Sequence, residues 1–264
     1  MDYSEKAEEM KQLGRTPCPA YDKLALIYDR VMSHVEYDRW AKYVVRIIRK
    51  YSDLPVTLLD VGCGTGNLLK KLQKLGGDVA GCEPSESMLK VAGEKLPGSA
   101  LIQDALPSLS TIPEGRFSVI TCLYDTINYV GTAEEVRQSL RRFSELLPVG
   151  GLLIFDAVSE ALCQVYFNHS SEHEVLDEHY AFARYAYYLP EKKQEITELT
   201  IYTPDGIFEE RHVQQIYPYS NLKSWIEEIP GFKLVGMFDG FTFNRAEHDS
   251  NRVHFVVKKE RIDD

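Results

Sequence analysis

Residues 58–68 read LLDVGCGTGNL: an apolar run carrying Asp60, glycines at 62, 64 and 66, and then the start of a helical pattern. Glycine lets a backbone turn sharply and lets a ligand lie against the main chain where a β-carbon would collide. A strand, glycine loop and helix in this order put the loop over the carboxyl ends of a parallel sheet, where α/β folds take their ligands. A small molecule is therefore expected at this loop.

The pattern extends on both sides. From 56 to 158, short β-branched runs alternate with amphipathic stretches, as in a parallel sheet with helices on both faces. The runs 56–61, 78–82, 100–103, 117–123 and 151–156 are nearly continuous in apolar residues, as doubly covered strands are. Between them, 67–75, 86–96 and 133–147 have helical spacing, with Ser85 and Thr132 in capping positions. Upstream, 4–51 reads as two or three helices, YDKLALIYDRVM and YDRWAKYVVRIIRKY being the clearest. Downstream come alternating aromatic runs, HYAFARYAYYL, QEITELTIYT and IFEERHVQQIYPY, with turn signals at 190–193 and 204–206. These predict an inserted antiparallel sheet. A helix at 221–229 and the strands FKLVGMF and RVHFVVKK then close the parent sheet. The expected organisation is one domain over 1–264: a helical cover (1–55), a ligand-binding core (56–158), an inserted β lid (159–217) and closing elements (218–264).

A chain of 264 residues, 44% hydrophobic and 27% charged, can bury a full core. Its net charge of −10, concentrated after residue 158, argues against holding nucleic acid through phosphates. Cys18, Cys63, Cys82, Cys122 and Cys163 are odd in number and lack CxxC spacing, which suits a reducing compartment and offers no zinc site. The stretch MDYSEKAEEMKQLGR has no apolar signal core, and no run approaches the roughly 18 apolar residues of a membrane span. A cytoplasmic protein without a membrane partner is expected.

Spacing selects among ligands. The loop is GxGxG; Asn67 stands where a dinucleotide fingerprint has its third glycine, and no GK[ST] follows for a triphosphate. Glu83 ends the second strand, where a carboxylate can accept both hydroxyls of an unphosphorylated ribose. Asp104 follows the third strand in LIQDA, where it and the next N–H could read an adenine edge. Together LLDVGCGTGNL, CEPSESML and LIQDA resemble the class I S-adenosylmethionine-dependent methyltransferases, over 56–158 and the two closing strands. The resemblance implies a Rossmann-like, doubly wound seven-stranded α/β sheet with an antiparallel last strand. It also implies S-adenosylmethionine as cofactor and S-adenosylhomocysteine as product. Gly62 and Gly64 would cradle the methionine part, Glu83 the ribose and Asp104 the adenine, with Met88 capping that ring. Asp60, Thr65, Gly66, Asn67, Pro84, Gln103, Ala105 and Leu123 complete the expected cofactor set.

The segment YDKLALIYDRVMSHVEYDRW, the LYDTINYV after the fourth strand and the inserted sheet are similar to a bacterial small-molecule subgroup. It is related to amino-sugar N,N-dimethyltransferases and glycine/sarcosine methyltransferases. The similarity implies an N-terminal segment closing over the cofactor, with Tyr21, Tyr28 and Trp40 toward the sulfonium; packing on the sheet is their alternative role. Tyr124, Asn128 and Tyr129 fall where the acceptor should enter, so Tyr28, Tyr124 and Asn128 are the catalytic candidates. Displacement at an activated methyl mainly needs proximity in a dry site. A base matters only for a protonated amine or a hydroxyl, and His179, His212 and His254 are candidates by type alone.

The expected acceptor is a small molecule bearing an amine or hydroxyl, with cationic or neutral species favoured by the acidic lid. The run 209–211 reads as a solvated strand face, and Tyr185, Tyr187 and Tyr188 as packing within the inserted sheet. Asp156 is either a substrate ligand or a tie between loops. His169 and His173 lack a third ligand, so no metal is expected. An RNA or protein methyltransferase on the same fold would need a basic face or an appended module, and CLYDTINYV lacks the NPPY signature of base methylation. A non-catalytic adenosylmethionine-binding protein is the third reading. The edges of the inserted sheet leave room for a homodimer.

Overall fold

The computed structural model describes residues 14–75 and 78–262. Its strands are β1 (Arg15–Pro17), β2 (Thr57–Val61), β3 (Asp78–Cys82), β4 (Ala100–Ile102), β5 (Val119–Cys122), β6 (Leu152–Val158), β7 (Ser170–Val175), β8 (Ala181–Leu189), β9 (Gln194–Thr203), β10 (Gly206–Gln215), β11 (Phe232–Asp239) and β12 (Arg252–Lys259). The α-helices are α1 (Tyr28–Val31), α2 (Tyr37–Tyr51), α3 (Asn67–Leu72), α4 (Glu86–Lys95), α5 (Ala133–Leu146), α6 (Glu160–Tyr166) and α7 (Tyr219–Glu227).

Seven strands form the main sheet in the order β11-β12-β6-β5-β2-β3-β4. The pairings β2 with β3, β3 with β4, β2 with β5 and β5 with β6 are parallel, while β12 runs antiparallel to both its neighbours. The period-2 alternation of a strand sends Leu58 and Leu59 to opposite faces. Leu58, Val119, Ile154 and Val256 meet α2 and α3 through Trp40, Val44, Ile47, Leu69 and Leu72. Leu59, Ile120, Phe155 and Phe255 meet α5 and α7 through Leu140, Phe143, Leu222 and Ile226. The result is a doubly wound α/β sheet whose strand ends gather at one rim.

The inserted sheet has five strands in the order β1-β10-β9-β8-β7. β7 to β10 pair antiparallel, but β1, from the N-terminal region, pairs parallel to β10 at Arg15↔Ile207. The N-terminal region is therefore not purely helical: it supplies a lid strand. The expected helix YDKLALIYDRVM is also broken, into a three-residue 3₁₀ turn (Leu24–Leu26) and the four-residue α1. The cause is tertiary. Glu210 of β10 accepts the backbone N–H of Tyr21, Lys23 and Leu24, and Tyr21 takes φ 65°, so the first helical turn cannot form. Residues 18–31 instead make a strap whose Leu24 and Ile27 pack on Phe182, Leu199 and Ile201 of the inserted sheet. The expected helical reading of 4–13 lies outside the described residues. Among those described, no helix is long and apolar enough to cross a membrane.

Candidate functional site

The glycine loop leaves β2 and enters α3 with Gly62, Gly64 and Gly66 all at positive φ. Two of the three glycines answer to packing. A β-carbon on Gly62 would lie 2.5 Å from Thr126 Oγ1, and one on Gly66 would lie 2.8 Å from Leu96 Cδ1. Gly64 is different: nothing stands within 4 Å of its missing β-carbon, so its bare backbone faces open space. The Gly64 N–H points to Glu83, whose Oε2 accepts it at 3.1 Å while Oε1 accepts from Ser85 N at 3.1 Å. Burial raises the Glu83 pKa, with the two backbone donors pulling the other way. Each carboxylate oxygen keeps lone-pair capacity for one more donor, so the group can take two vicinal hydroxyls. Asp60, below the loop, is pushed up to about 7 by burial and accepts from Thr121 Oγ1 at 2.7 Å.

A crevice of about 50 Å³ opens along this loop, lined among others by Tyr28, Trp40, Asp60, Gly64, Leu123 and Tyr124. Gly62, Thr65 and Asn67 also line it, but the Thr65 and Asn67 side chains are occupied. Asp29 of α1 accepts from Thr65 Oγ1 at 2.6 Å and Asn67 Nδ2 at 2.9 Å, and pairs with Lys95 Nζ at 2.5 Å. These contacts clamp the strap to the glycine loop. At the other end of the rim, Ser85 Oγ donates to Tyr21 O and Ser87 Oγ to Asp22, so the strap crosses the end of β3 and covers Glu83. Gln103 Nε2 donates to Pro84 O, tying the ends of β3 and β4 together.

Three expected site residues make contacts of their own. The Asp104 carboxylate accepts from Ala105 N, Thr111 N and Thr111 Oγ1 of its own loop. Partial burial opposes these bonds, but they hold Asp104 below the usual carboxylate range. Met88 is fully buried on the inward face of α4, and its side chain lines neither the crevice nor the cavity described next. The Asn128 amide donates to Gln215 O and accepts from Val158 N, with no exposed surface.

Behind Tyr28 and Tyr124 lies a second cavity of about 170 Å³, roofed by the strap and the inserted sheet. These two tyrosines line both spaces and form their common wall. The second cavity is lined by carboxylates and their partners, among them Asp125, Glu195, Tyr129, His212, Gln214 and Arg252. Tyr124 and Asp125 sit consecutively in the left-handed region, at φ 61° and 54°. That strain is held by polar ties. Arg252 Nη2 reaches Asp125 Oδ1 at 2.7 Å, Arg252 Nη1 bonds Asp156, and Asp156 Oδ1 accepts Asp125 N at 3.2 Å. Asp156 is fully buried, so of its two readings the loop tie is the one observed.

Of the three histidines, one joins the site. His212 faces the cavity; His179 lies on an exposed turn. His254 is sealed among Trp40, Tyr43 and Phe241 with both ring nitrogens unpartnered, and burial pushes it down to about 3. The reading of 209–211 fails at its middle residue: Glu209 and Arg211 face outward, but Glu210 is 2% exposed beneath the strap. Glu195, unremarked in the sequence, is also buried and pushed up to about 7 by that burial. The signal was available, because Glu195 with Leu199 and Ile201, and Glu210 with His212 and Gln214, fall on the inward positions of alternating strands. Among the described residues, no group of three or more His, Cys, Asp or Glu could hold a metal.

Comparison with known proteins agrees with this geometry. A family model described as "Methyltransferase domain" matches residues 58–151. The "Putative methyltransferase GWCH70_2453" of Geobacillus sp. (strain WCH70) is 32% identical over 249 residues, covering 90% of this chain and 99% of that one. A dTDP-3-amino-3,4,6-trideoxy-alpha-D-glucopyranose N,N-dimethyltransferase of Streptomyces venezuelae is 33% identical over 122 residues, 46% of this chain and 50% of its own length. The crystal structure of an S-adenosylmethionine-dependent methyltransferase from Clostridium acetobutylicum ATCC 824 superposes with a TM-score of 0.78 at 21% identity, covering 91% of this chain and 99% of that one. With the glycine loop and Glu83 in place at the rim, this chain belongs to the class I S-adenosylmethionine-dependent methyltransferases.

Proposed function

We propose that the chain methylates an amine of a small molecule seated in the second cavity, with the cofactor along the crevice. When bound, S-adenosylmethionine supplies a methyl group already activated on a sulfonium. In this reading Glu83 holds the ribose, Gly64 leaves room for the ligand against the main chain, and Tyr28, Trp40 and Tyr124 place aromatic faces beside the methionine end. Aromatic faces attract a cation by about 1 kcal/mol each. The strap and the inserted sheet roof the second cavity, and a single domain carries both spaces.

The observation that carries this reading is the common wall of Tyr28 and Tyr124 between the loop crevice and a cavity lined by Asp125 and Glu195. A cavity of about 170 Å³ takes a small reacting group and not a folded macromolecule. Buried carboxylates favour an amine over an anionic acceptor. The amino-sugar nucleotide in the name of the Streptomyces venezuelae relative belongs to that class. A cytoplasmic site of action follows from a small-molecule acceptor and a common intracellular cofactor.

The test is transfer of labelled methyl from S-adenosylmethionine into three fractions: a metabolite extract, RNA and protein. Label should enter the metabolite fraction at amine-bearing compounds. Label confined to RNA or protein would overturn the assignment. RNA belongs in the comparison because Arg39, Arg46 and Lys50 of α2 lie over the rings of Phe241 and Phe243, an arrangement of cations and aromatics that could meet a polyanion.

A further inference from the structure

Four side chains form an unbroken hydrogen-bonded chain into the second cavity. Tyr21 Oη donates to Tyr129 Oη at 2.6 Å, Tyr129 Oη lies 3.3 Å from His212 Nδ1, and His212 Nε2 lies 3.1 Å from Glu210 Oε2. An ionised carboxylate only accepts, so in a neutral ring the hydrogen sits on Nε2 and Nδ1 accepts from Tyr129. Every hydrogen has one direction, from Tyr21 toward His212. Tyr21, Tyr129 and His212 all line the cavity, and Tyr21 stands edge-on to the His212 ring at 4.6 Å.

Glu210 has a second task. Its carboxylate accepts the N–H groups of Tyr21, Lys23 and Leu24, so the group that orients His212 is also the one that holds the strap down. The strap in turn brings the Tyr21 hydroxyl to Tyr129. One carboxylate thus serves both the strap and the hydrogen-bonded chain. Burial holds both Tyr21 and Tyr129 far above the ordinary phenol range, so each stays a neutral hydroxyl that can pass a proton on without ionising.

Building on the amine reading above, we propose that this chain is the exit path for the acceptor proton, with Tyr21 meeting the amine and His212, positioned by Glu210, taking the proton through Tyr129. An ammonium has no lone pair with which to attack. Its proton moves to Tyr21 oxygen as the Tyr21 proton moves to Tyr129 and the Tyr129 proton to His212 Nδ1. The freed pair forms the N–C bond while the S–C bond of the methyl donor breaks, leaving its electron pair on sulfur. His212 becomes an imidazolium whose charge is met by Glu210. The other charged groups on the cavity wall are Asp125, Glu195, Arg184 and Arg252.

Two measurements on the full chain decide this. Histidine-selective ¹⁵N labelling of protein saturated with S-adenosylhomocysteine should show His212 neutral at pH 7 with its hydrogen on Nε2, and Tyr129→Phe should shift the Nδ1 resonance. An imidazolium or an Nδ1–H ring at that pH would overturn the proposal. The second uses methyl transfer to dTDP-3-amino-3,4,6-trideoxy-alpha-D-glucopyranose as the probe. His212→Asn keeps an oxygen to accept from Tyr129 but cannot take a proton, so kcat should fall about 100-fold with KM within about threefold. Tyr129→Phe should lose as much, and the double variant no more than either, as in a single relay. Undiminished kcat in His212→Asn, or losses that multiply, would overturn the proposal. If wild-type protein leaves the probe unmethylated, the amino-sugar reading falls, and the ring resonances still decide the relay.

Discussion

Glu83→Gln should weaken S-adenosylhomocysteine binding about 100-fold in calorimetric titration, with the far-ultraviolet spectrum unchanged. Each Glu83 oxygen already accepts one backbone N–H, from Gly64 or Ser85. An amide puts an NH₂ where one oxygen was, facing a donor with a donor, and it can no longer accept two ribose hydroxyls as a charged group. Hydrogen bonds to charged groups contribute roughly 1.5–3 kcal/mol each, and about 2.8 kcal/mol corresponds to 100-fold in affinity. The loop itself also loses a tie, so part of the effect is on the shape of the Gly64 cradle. An affinity equal to wild type would remove the carboxylate from the site.

Arg252→Met should cost about 3–5 kcal/mol of stability, because it leaves two buried carboxylates facing each other without their cation. For a chain of 264 residues this corresponds to a Tm lower by about 10 °C. Burial already raises both Asp125 and Asp156, and Arg252 is what opposes it. With Arg252 gone, their folded pKa values rise further above the unfolded ones, so the folded variant binds more protons than the unfolded chain. The deficit relative to wild type should therefore be smallest near pH 4 and grow as pH rises to 8, following the carboxylate range of about 4 upward. Thermal melts of both proteins at pH 5 and pH 8 measure it; equal deficits would show that the pair carries no charge burden. The same change releases Tyr124 and Asp125 from their left-handed conformation, so the cavity wall should lose definition along with stability.

The parallel half of the molecule was legible because its strands are buried on both faces and write themselves as apolar runs between helical periods. LLDVGCGTGNL became a strand, loop and helix as expected, and Glu83 fell at the rim beside Gly64. What escaped was structure set by distant partners. β7 is exposed along its whole length, so SSEHEV has no alternation to betray it. β1 is three exposed residues ending in proline, and only its pairing with β10 makes it a strand. YDKLALIYDRVM carries helical spacing, yet Glu210 takes the N–H groups that would start the helix. A charged run such as EER reads as solvated when nothing in the sequence shows that a strap will cover its middle residue. For His254 and Asn128, residue type gives no position: register puts one ring among aromatics and one amide on backbone partners.

Three of the buried carboxylates, Asp60, Glu83 and Glu195, share a feature: each is raised by burial, and no Lys or Arg ion pair to any of them is seen among the described residues. Such groups are expensive to keep. In the proposed function two of them face ligands that relieve the cost, Glu83 the ribose hydroxyls and Glu195 the amine. The strap spans both spaces, with Asp29 gripping the glycine loop at one end and Glu210 gripping the strap at the other.

A crystal structure of the full chain grown with S-adenosylhomocysteine puts the whole arrangement to trial. The ribose hydroxyls should lie on Glu83, the amino-acid half against the bare backbone of Gly64, and the sulfur toward the wall formed by Tyr28 and Tyr124. A ligand bound elsewhere, or a ribose that leaves Glu83 in contact only with its two backbone donors, would contradict it.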